Sequence, residues 1–358
     1  MPVFWPSVYL AYFVYRALCT VLGEVVVARL TVLGDAGKYQ KAEFHLEPYS
    51  FVFSTDLNAN IGAIFYYLAG GSPLGISFLF MCVGTFGIIR LLKALEPDDR
   101  KAVFLLLLLP SFNVWSSVAS KESVVVFAVG ILLAYLVRHT RGEERLGLLE
   151  LLAAYLLVVY KPHFGVSLMF LYTALMCRRY FASYNGLAII GSLLSLTPLV
   201  AFAPVISDLS FRVQIHFIGS GDSTRELFWR EPWDVFLRAF EGMYLAFVGP
   251  TVAEAAGKTV HLMSFVESLI LSLGILVLVI LRSRRATVFG LSVALFSIFW
   301  IMFPNYPFGA MNPGSAIRYR TDYLLIVLVI IVTILPLDSV IRRRSRDART
   351  LAEPPTPA

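Results

Sequence analysis

Long apolar stretches separated by short polar turns dominate this chain. Three of them, Ser72 to Leu92, Val260 to Leu281 and Tyr323 to Ile341, supply the roughly 20 residues with which a helix crosses a bilayer. They are continuously apolar, whereas the strands of a membrane barrel alternate apolar and polar positions. The pattern predicts an all-α polytopic integral membrane protein with ten transmembrane helices, at about residues 3–22, 72–92, 102–119, 123–138, 146–160, 164–177, 186–206, 260–281, 286–303 and 323–341.

Two of the connections are much longer than the others. Residues 23–71 include an apolar piece, Ile61 to Leu68, which we expect to lie as a helix at the membrane surface. Residues 207–259 include Pro232 to Phe240, where apolar positions recur at helical spacing. We therefore predict one transmembrane domain over residues 1–341 with two larger external loops, followed by a basic, proline-containing tail at 342–358.

Basic residues orient this arrangement. The last apolar stretch is followed by an arginine cluster, which the positive-inside rule places in the cytoplasm. Counting back from this cluster puts both termini in the cytoplasm, and the connections assigned to that side hold 17 of the 30 Lys and Arg residues. The clustered residues are Arg342, Arg343, Arg344, Arg346 and Arg349.

Composition supports the membrane assignment and excludes several other classes of protein. Hydrophobic residues make up 58% of the chain and charged residues only 15%, against about 25% charged in soluble domains. The net charge of +6 resides mainly in the cytoplasmic turns, so we expect contacts with membrane lipids and no nucleic-acid partner. The sequence contains no glycine-rich phosphate loop and no His-Glu-x-x-His motif, which makes cytosolic nucleotide chemistry improbable.

The polar residues that a bilayer does not readily explain all fall on the predicted external side. A set of acids, bases and cations at the aqueous end of a helix bundle suits an enzyme that acts on a lipid-linked anionic substrate. The members of this set are Asp35, Lys121, Glu122, Lys161, His163, Arg318 and Arg320.

Asp35 and the Lys121-Glu122 pair have two interpretations each. Asp35 lies between Gly34 and Gly37, where it could accept a proton or bind a divalent metal ion, but an Asp in a turn also caps the following segment. Lys121 and Glu122 end a polar run that begins at Pro110. Glu122 there suits either chemistry or the first turn of a helix, which favours negative charge.

The remaining cations are open to the same two interpretations. Lys161 offers a compact charge for phosphate and His163 can exchange a proton near neutral pH, yet lysine also extends toward lipid headgroups from helix ends. Arg318 and Arg320 precede the last span on the side where positive charge is scarce. Guanidinium binds phosphate with two hydrogen bonds, and the alternative is pairing with Asp322 or with lipid.

The order of these motifs resembles that of membrane-embedded C-type glycosyltransferases and the related bacterial polysaccharide polymerases. The resemblance rests on Asp35 in the first external loop, on Pro-Ser-x-x-x-Trp-Ser-Ser-x-x-x-Lys-Glu at Pro110 to Glu122, and on Arg318-Tyr319-Arg320. It implies that Asp35 is the base or metal ligand that activates an acceptor, with assistance from Glu122 or His163. It also implies that Lys121, Lys161, Arg318 and Arg320 bind the polyprenyl phosphate of a sugar donor.

We therefore expect a transferase of the bacterial inner membrane that moves a sugar from a polyprenyl-phosphate carrier to an envelope glycan or lipid acceptor. Two alternatives remain. A repeat-unit polymerase of the O-antigen or exopolysaccharide type would use the same cations with the arginines of residues 207–259. A transporter or flippase of lipid-linked saccharides would place its binding groups near the bilayer midplane.

Overall fold

The computed structural model describes residues 4–30, 33–141, 146–181, 185–218, 224–225 and 228–336, and most of this described sequence is helical with no strand. The all-α prediction is confirmed. The arginine cluster, the tail at 342–358 and the end of the last predicted span at 337–341 lie outside the described residues. The side chains of Arg178 and Arg179 lie outside them as well.

The first half of the chain forms helices that mostly match the apolar stretches. The first span is longer than the sequence pattern predicted, because a π-helical turn at Gly23–Val27 joins the first helix to a short second one, and the continuous span ends at Leu30. The helices are α1 (Trp5–Leu22), α2 (Ala28–Leu30), α3 (Ala36–Tyr39), α4 (Ser54–Leu68), α5 (Pro73–Ala94), α6 (Pro97–Leu106), α7 (Pro110–Trp115), α8 (Lys121–His139), α9 (Leu148–Tyr160) and α10 (Pro162–Phe181).

The second half includes the segment predicted as the large external loop at 207–259. Much of that loop is helical, since α13 continues to Phe217 and three further helices follow Asp234. The helices are α11 (Asn185–Leu194), α12 (Thr197–Ala201), α13 (Ala203–Phe217), α14 (Asp234–Leu237), α15 (Ala239–Val248), α16 (Val252–Gly257), α17 (Thr259–Ser283), α18 (Val288–Met302), α19 (Tyr306–Met311) and α20 (Pro313–Val329), which a π-helical turn extends over Ile330–Ile334.

Helix α8 lies at the centre of the bundle and packs against α5, α9 and α20. Its closest neighbour is α5, because two glycines face each other across that interface. A Cβ built on Gly130 would lie 2.4 Å from the Gly87 carbonyl oxygen, and one on Gly87 would lie 2.5 Å from the Phe127 Cα. Backbones this close need small residues at the contact, as in other membrane helix pairs.

The predicted span at 102–119 is not a continuous helix. It consists of α6 and α7, with a break at residues 107–109 and a second non-helical segment at 116–120 before α8. Pro110 explains the first break, because proline has no N–H to donate and its ring collides with the preceding turn. Where backbone at membrane depth is not helical, its N–H and C=O groups need hydrogen-bond partners from elsewhere in the protein.

Within the described residues, four helices have the length and hydropathy to cross a membrane, or five if the bent pair at Ile189–Ala201 and Ala203–Phe217 is one span. The four are Trp5–Leu30, Pro73–Ala94, Lys121–His139 and Thr259–Ser283. Three further apolar helices, at Leu148–Tyr160, Pro162–Met176 and Val288–Met302, are shorter. A membrane protein is therefore indicated, and ten spans remain a prediction.

Charged side chains gather at the two ends of the bundle. Residues from the connections predicted to be cytoplasmic pair with one another, as do Glu150 with Arg138 at 3.6 Å and Glu96 with Arg141 at 3.2 Å. Asp99 pairs in the same region with Arg282. The other end of the 19-residue helix α8, about 28 Å away, carries Glu122. The remaining predicted site residues lie around that end.

Candidate functional site

The loop that contains Asp35 lies directly against Arg318. Gly34 has φ of +57°, a conformation that glycine adopts readily, and a Cβ built there would lie 2.1 Å from Arg318 Nη1. The backbone therefore touches the guanidinium. Asp35 follows at the N-terminal boundary of α3, where its side chain caps nothing and is exposed. The turn interpretation of Asp35 explains its position. Its carboxylate accepts one long hydrogen bond, from Tyr39 Oη to Oδ2 at 3.5 Å, and remains exposed.

Glu122 and Arg318 form a bidentate pair across the bundle. Arg318 Nε donates to Glu122 Oε1 at 2.6 Å, and Nη2 donates to Oε2 at 3.3 Å. The Glu122 side chain is almost fully buried, whereas 16% of the Arg318 side chain remains exposed. A buried carboxylate in this geometry orients the guanidinium and neutralises it. Glu122 therefore fits a role in holding Arg318 better than a role in proton transfer.

Lys161 has a carboxylate partner of its own. Its Nζ lies 3.0 Å from Oδ2 of Asp322, a side chain with no exposure, and 4.4 Å from the centre of the Tyr319 ring. Burial by itself would lower the pKa of Lys161, but the Asp322 carboxylate more than offsets this and the pKa is raised. Lys161 is thus a fixed positive charge rather than a side chain that extends into lipid headgroups.

Lys121 makes hydrogen bonds of a different kind. Its Nζ donates to Thr55 Oγ1 at 2.6 Å and to Ser54 Oγ at 3.2 Å, in the first turn of α4. Neutral hydroxyls do not compensate an ammonium charge as a carboxylate would. Asp35 and Glu122 both interact with this charge electrostatically, but neither forms an ion pair with Lys121 within 4.0 Å among the described residues. Lys121 is therefore the cation of the cluster that is most available to an anion.

The structure brings five of the predicted residues together. Asp35 interacts electrostatically with both Lys121 and Arg318, and Lys161 interacts with Glu122. Tyr39, fully buried behind Asp35, has its pKa raised by burial and then by the nearby carboxylates. We call Asp35, Lys121, Glu122, Lys161, Arg318 and Asp322 the charged cluster.

Arg320 does not belong to the charged cluster. It lies two residues after Arg318 on the same helix, so it points to a different face. Its Nη1 donates to Ser268 Oγ at 2.7 Å and to the Phe247 carbonyl oxygen at 2.9 Å. Its Nη2 lies 3.9 Å from Oε1 of Glu267, a residue of α17. Arg320 joins α15, α17 and α20 and is almost fully buried.

His163 is adjacent to Lys161 in sequence but is held by another partner. Its Nε2 lies 3.2 Å from Asn305 Oδ1, and its ring packs edge-on against Phe164. The described residues gather no three His, Cys, Asp or Glu side chains in one place that could hold a metal ion. A divalent ion at Asp35 would thus start from a single exposed carboxylate.

Three contributors to the cluster escaped the sequence motifs. Asp322 was considered as a partner for the arginines, but it pairs with Lys161. Asp322 lies four residues after Arg318, so both side chains are on the same face of the helix. This spacing is visible in the sequence and places Asp322 near the charged cluster. Ser54 and Thr55 carry no such signal, because their approach to Lys121 depends on how α4 packs.

At one end of the helix bundle, the exposed Asp35 carboxylate therefore lies near three cations. Lys121 has no carboxylate partner within 4.0 Å among the described residues, whereas Arg318 and Lys161 are paired with Glu122 and Asp322. No protein-family model, curated protein or solved structure matches this chain. The resemblance to C-type glycosyltransferases therefore depends on the sequence motifs alone.

Proposed function

We propose that this protein is a glycosyltransferase of the bacterial inner membrane that transfers a sugar from a polyprenyl-phosphate donor to an envelope glycan or lipid acceptor. In this proposal the chain crosses the membrane ten times with both termini in the cytoplasm, and the charged cluster faces outward. The proposal places the protein beside the C-type glycosyltransferases that its motifs resemble.

One observation supports the proposal most strongly, namely that the loop of exposed Asp35 touches Arg318 and that its carboxylate interacts electrostatically with Lys121. Transfer of a sugar from a phosphate requires a base for the acceptor hydroxyl and positive charge for the departing phosphate. Asp35 supplies the first and Lys121 the second. The bilayer position of the bundle suits a donor whose carrier is a lipid.

The proposed step is a displacement at the anomeric carbon. The acceptor hydroxyl oxygen forms a bond to that carbon, while the bond from the same carbon to the phosphate oxygen breaks. The bonding electrons leave with the polyprenyl phosphate, and the hydroxyl proton passes to the Asp35 carboxylate. Lys121 donates hydrogen bonds to the phosphate oxygens, and Arg318, which Glu122 orients and which stays partly exposed, donates a further N–H to them.

The other residues take supporting roles in this proposal. Glu122 and Asp322 hold Arg318 and Lys161 in place through buried ion pairs. Arg320 maintains the contact of α20 with α17, and it does not reach the phosphate. His163 hydrogen-bonds to Asn305 and so has one ring nitrogen engaged.

Three arginines of the large loop have carboxylate partners, which weakens the polymerase alternative. That alternative uses the loop arginines for a diphosphate, whereas Arg212, Arg225 and Arg238 pair with Asp208, Glu254 and Glu241, and only Arg230 is exposed without such a pair among the described residues. Burial would raise the pKa of Glu254, yet hydrogen bonds from Arg225 and from the Thr251 N–H lower it below the ordinary value. Arg225 therefore neutralises a carboxylate that is ionised at neutral pH.

The test uses purified full-length protein in liposomes with a radiolabelled polyprenyl-phosphate sugar and membrane acceptors. We expect Asp35→Asn to lower kcat by at least about 100-fold, the range of general base catalysis. Lys121→Met should lower kcat/KM by at least about tenfold, because one charged contact to phosphate is lost. Matched controls are Asp98→Asn at the opposite end of the bundle and Lys38→Met, an exposed lysine in the Asp35 loop.

Three results would overturn the assignment. Parental rates in both Asp35→Asn and Lys121→Met would remove these residues from the reaction. Movement of the labelled lipid across the liposome membrane without any covalent product would favour the transporter alternative. In a deletion strain, loss of polymer with single repeat units retained would favour the polymerase.

A further inference from the structure

The end of the first span contains a local irregularity beside the charged cluster. A π-helical turn occupies Gly23–Val27, where one extra residue is inserted into the helix. Such turns occur often at functional sites, because they redirect a side chain that a regular helix would point elsewhere. Here the turn contains Glu24, a half-buried carboxylate that none of the proposed catalytic roles uses.

One oxygen of Glu24 receives two hydrogen bonds. Ser77 Oγ donates to Glu24 Oε1 at 2.5 Å, and Gln40 Nε2 donates to the same oxygen at 2.8 Å. Gln40 Nε2 also lies 3.3 Å from Ser77 Oγ, so the three side chains touch one another. Ser77 is fully buried and Gln40 nearly so. Because one oxygen accepts from both donors and the donors also touch each other, the three side chains link the segments that carry them.

Each of the two donors leads to a different part of the charged cluster. Gln40 ends α3, the single helical turn that begins directly after Asp35, and its N–H donates to the Ala36 carbonyl oxygen at 3.0 Å. Ser77 Oγ accepts a hydrogen bond from the Ala119 N–H at 2.9 Å, two residues before Lys121. Glu24 therefore lies between the segment that contains Asp35 and the non-helical segment that leads into Lys121.

Neither of these segments contains more than a single turn of helix to fix it. α3 has four residues, and residues 116–120 form no helix. The distance between Asp35 and Lys121 therefore depends on side-chain contacts. We propose that Glu24 is a positioning residue, which fixes the Asp35 loop relative to Lys121 through Gln40 and Ser77. The expected effect of Glu24 on the rate of sugar transfer rests on the proposed function. Its expected effect on the structure rests on the hydrogen bonds alone.

Two substitutions separate positioning from other roles of Glu24. Glu24→Ala removes the acceptor oxygen for both donors. Glu24→Gln keeps one carbonyl oxygen of similar reach, loses the charge and replaces the second oxygen with an NH2 group. A matched control is Thr85→Val, which removes a buried side-chain hydrogen bond to the Met81 carbonyl oxygen two turns beyond Ser77 on α5. All variants are compared as full-length protein in liposomes.

Amide hydrogen exchange gives the structural result without any activity assay. We expect Glu24→Ala to speed exchange at least about tenfold in peptides over residues 36–41 and 116–121, while Glu24→Gln and Thr85→Val exchange as the parent does. Unchanged exchange in Glu24→Ala would overturn the inference, whatever the protein's activity.

Sugar transfer gives the second result. We expect Glu24→Ala to lower kcat at least about tenfold with little change in KM, since small displacements of reacting groups are costly, and Glu24→Gln to retain at least about a third of the parental kcat. Equal loss in both variants would overturn positioning and assign Glu24 a role that needs its charge. If the parent transfers no sugar, the proposed function fails while the exchange result still decides the structural inference.

Discussion

At the scale of single residues, Gly34 is the most constrained position beside the charged cluster. Its backbone has a positive φ, and the space where a side chain would begin is occupied by the Arg318 guanidinium. Gly37, three residues later, has an ordinary conformation with no atom within 4 Å of a built Cβ. The two glycines form a natural pair of test and control.

We expect Gly34→Ala to displace Arg318 from Glu122, because a Cβ cannot fit 2.1 Å from Arg318 Nη1. The left-handed conformation adds about 1–2 kcal/mol of strain for a residue with a side chain. Gly34→Ala should therefore lower the melting temperature by several degrees and sugar transfer at least about tenfold. Gly37→Ala should match the parent in thermal unfolding and in transfer assays. Equal behaviour of the two variants would contradict this account.

The residues of the charged cluster show what could be recognised from the sequence. Asp35, Lys121, Lys161 and Arg318 stood out because each is a charge at the same end of the predicted spans. The structure brings them together, but it also separates Arg318 from Arg320, which had been given one shared role. Arg318 and Arg320 lie at nearly the same height on one helix. Residues two positions apart on a helix point to different faces, so the two arginines meet different partners.

At the scale of elements, the break between α6 and α8 depends on α1. The carbonyl oxygens freed by the break accept hydrogen bonds from side chains of α1 and α7. Tyr15 Oη donates to the Leu108 oxygen at 2.7 Å, and Arg16 Nη2 donates to the Ser116 oxygen at 2.7 Å. Asn113 Nδ2 donates to the oxygens of Leu107 and Leu109. Arg16, a fully buried charge in a membrane span, therefore has a structural role.

We expect Arg16→Met to destabilise the protein, because the buried Ser116 carbonyl would lose its donor. An unpaired buried polar group costs about 1–3 kcal/mol, which should appear as a lower melting temperature in detergent. Hydrogen exchange should rise in residues 116–120 at the same time. Arg29→Met, an exposed arginine beyond the π-helical turn, is the matched control. Equal stability of the two variants would mean that Arg16 does not hold the break.

At the scale of the whole molecule, charge is sorted to the two ends of the bundle. Each end has its own ion pairs, with Glu150, Glu96 and Asp99 at one end and Glu122 and Asp322 at the other. This sorting agrees with the alternation of connections that the positive-inside rule predicts. The ends can therefore be assigned to the two sides of the membrane by labelling one residue at each.

We expect a cysteine at Lys38 (K38C) to react with a membrane-impermeant maleimide applied from outside, because Lys38 lies in the Asp35 loop. A cysteine at Arg284 (R284C) should react only after the membrane is permeabilised. Both positions are exposed, and the parent serves as the control for its own cysteines. Labelling of R284C from outside in intact cells would reverse the predicted orientation, with both termini then outside.

The class of this protein follows from the amino-acid sequence. Its apolar stretches indicate membrane helices, and its charges predict a shared functional end, because hydrophobic length and charge placement are properties of the linear chain. The pairing of Glu122 with Arg318, the pairing of Asp322 with Lys161 and the contacts of Glu24 with two segments of the cluster depend on how the helices pack. The partners in these contacts are up to 196 residues apart in the sequence. They come together only when the helices pack, so local sequence patterns do not reveal them.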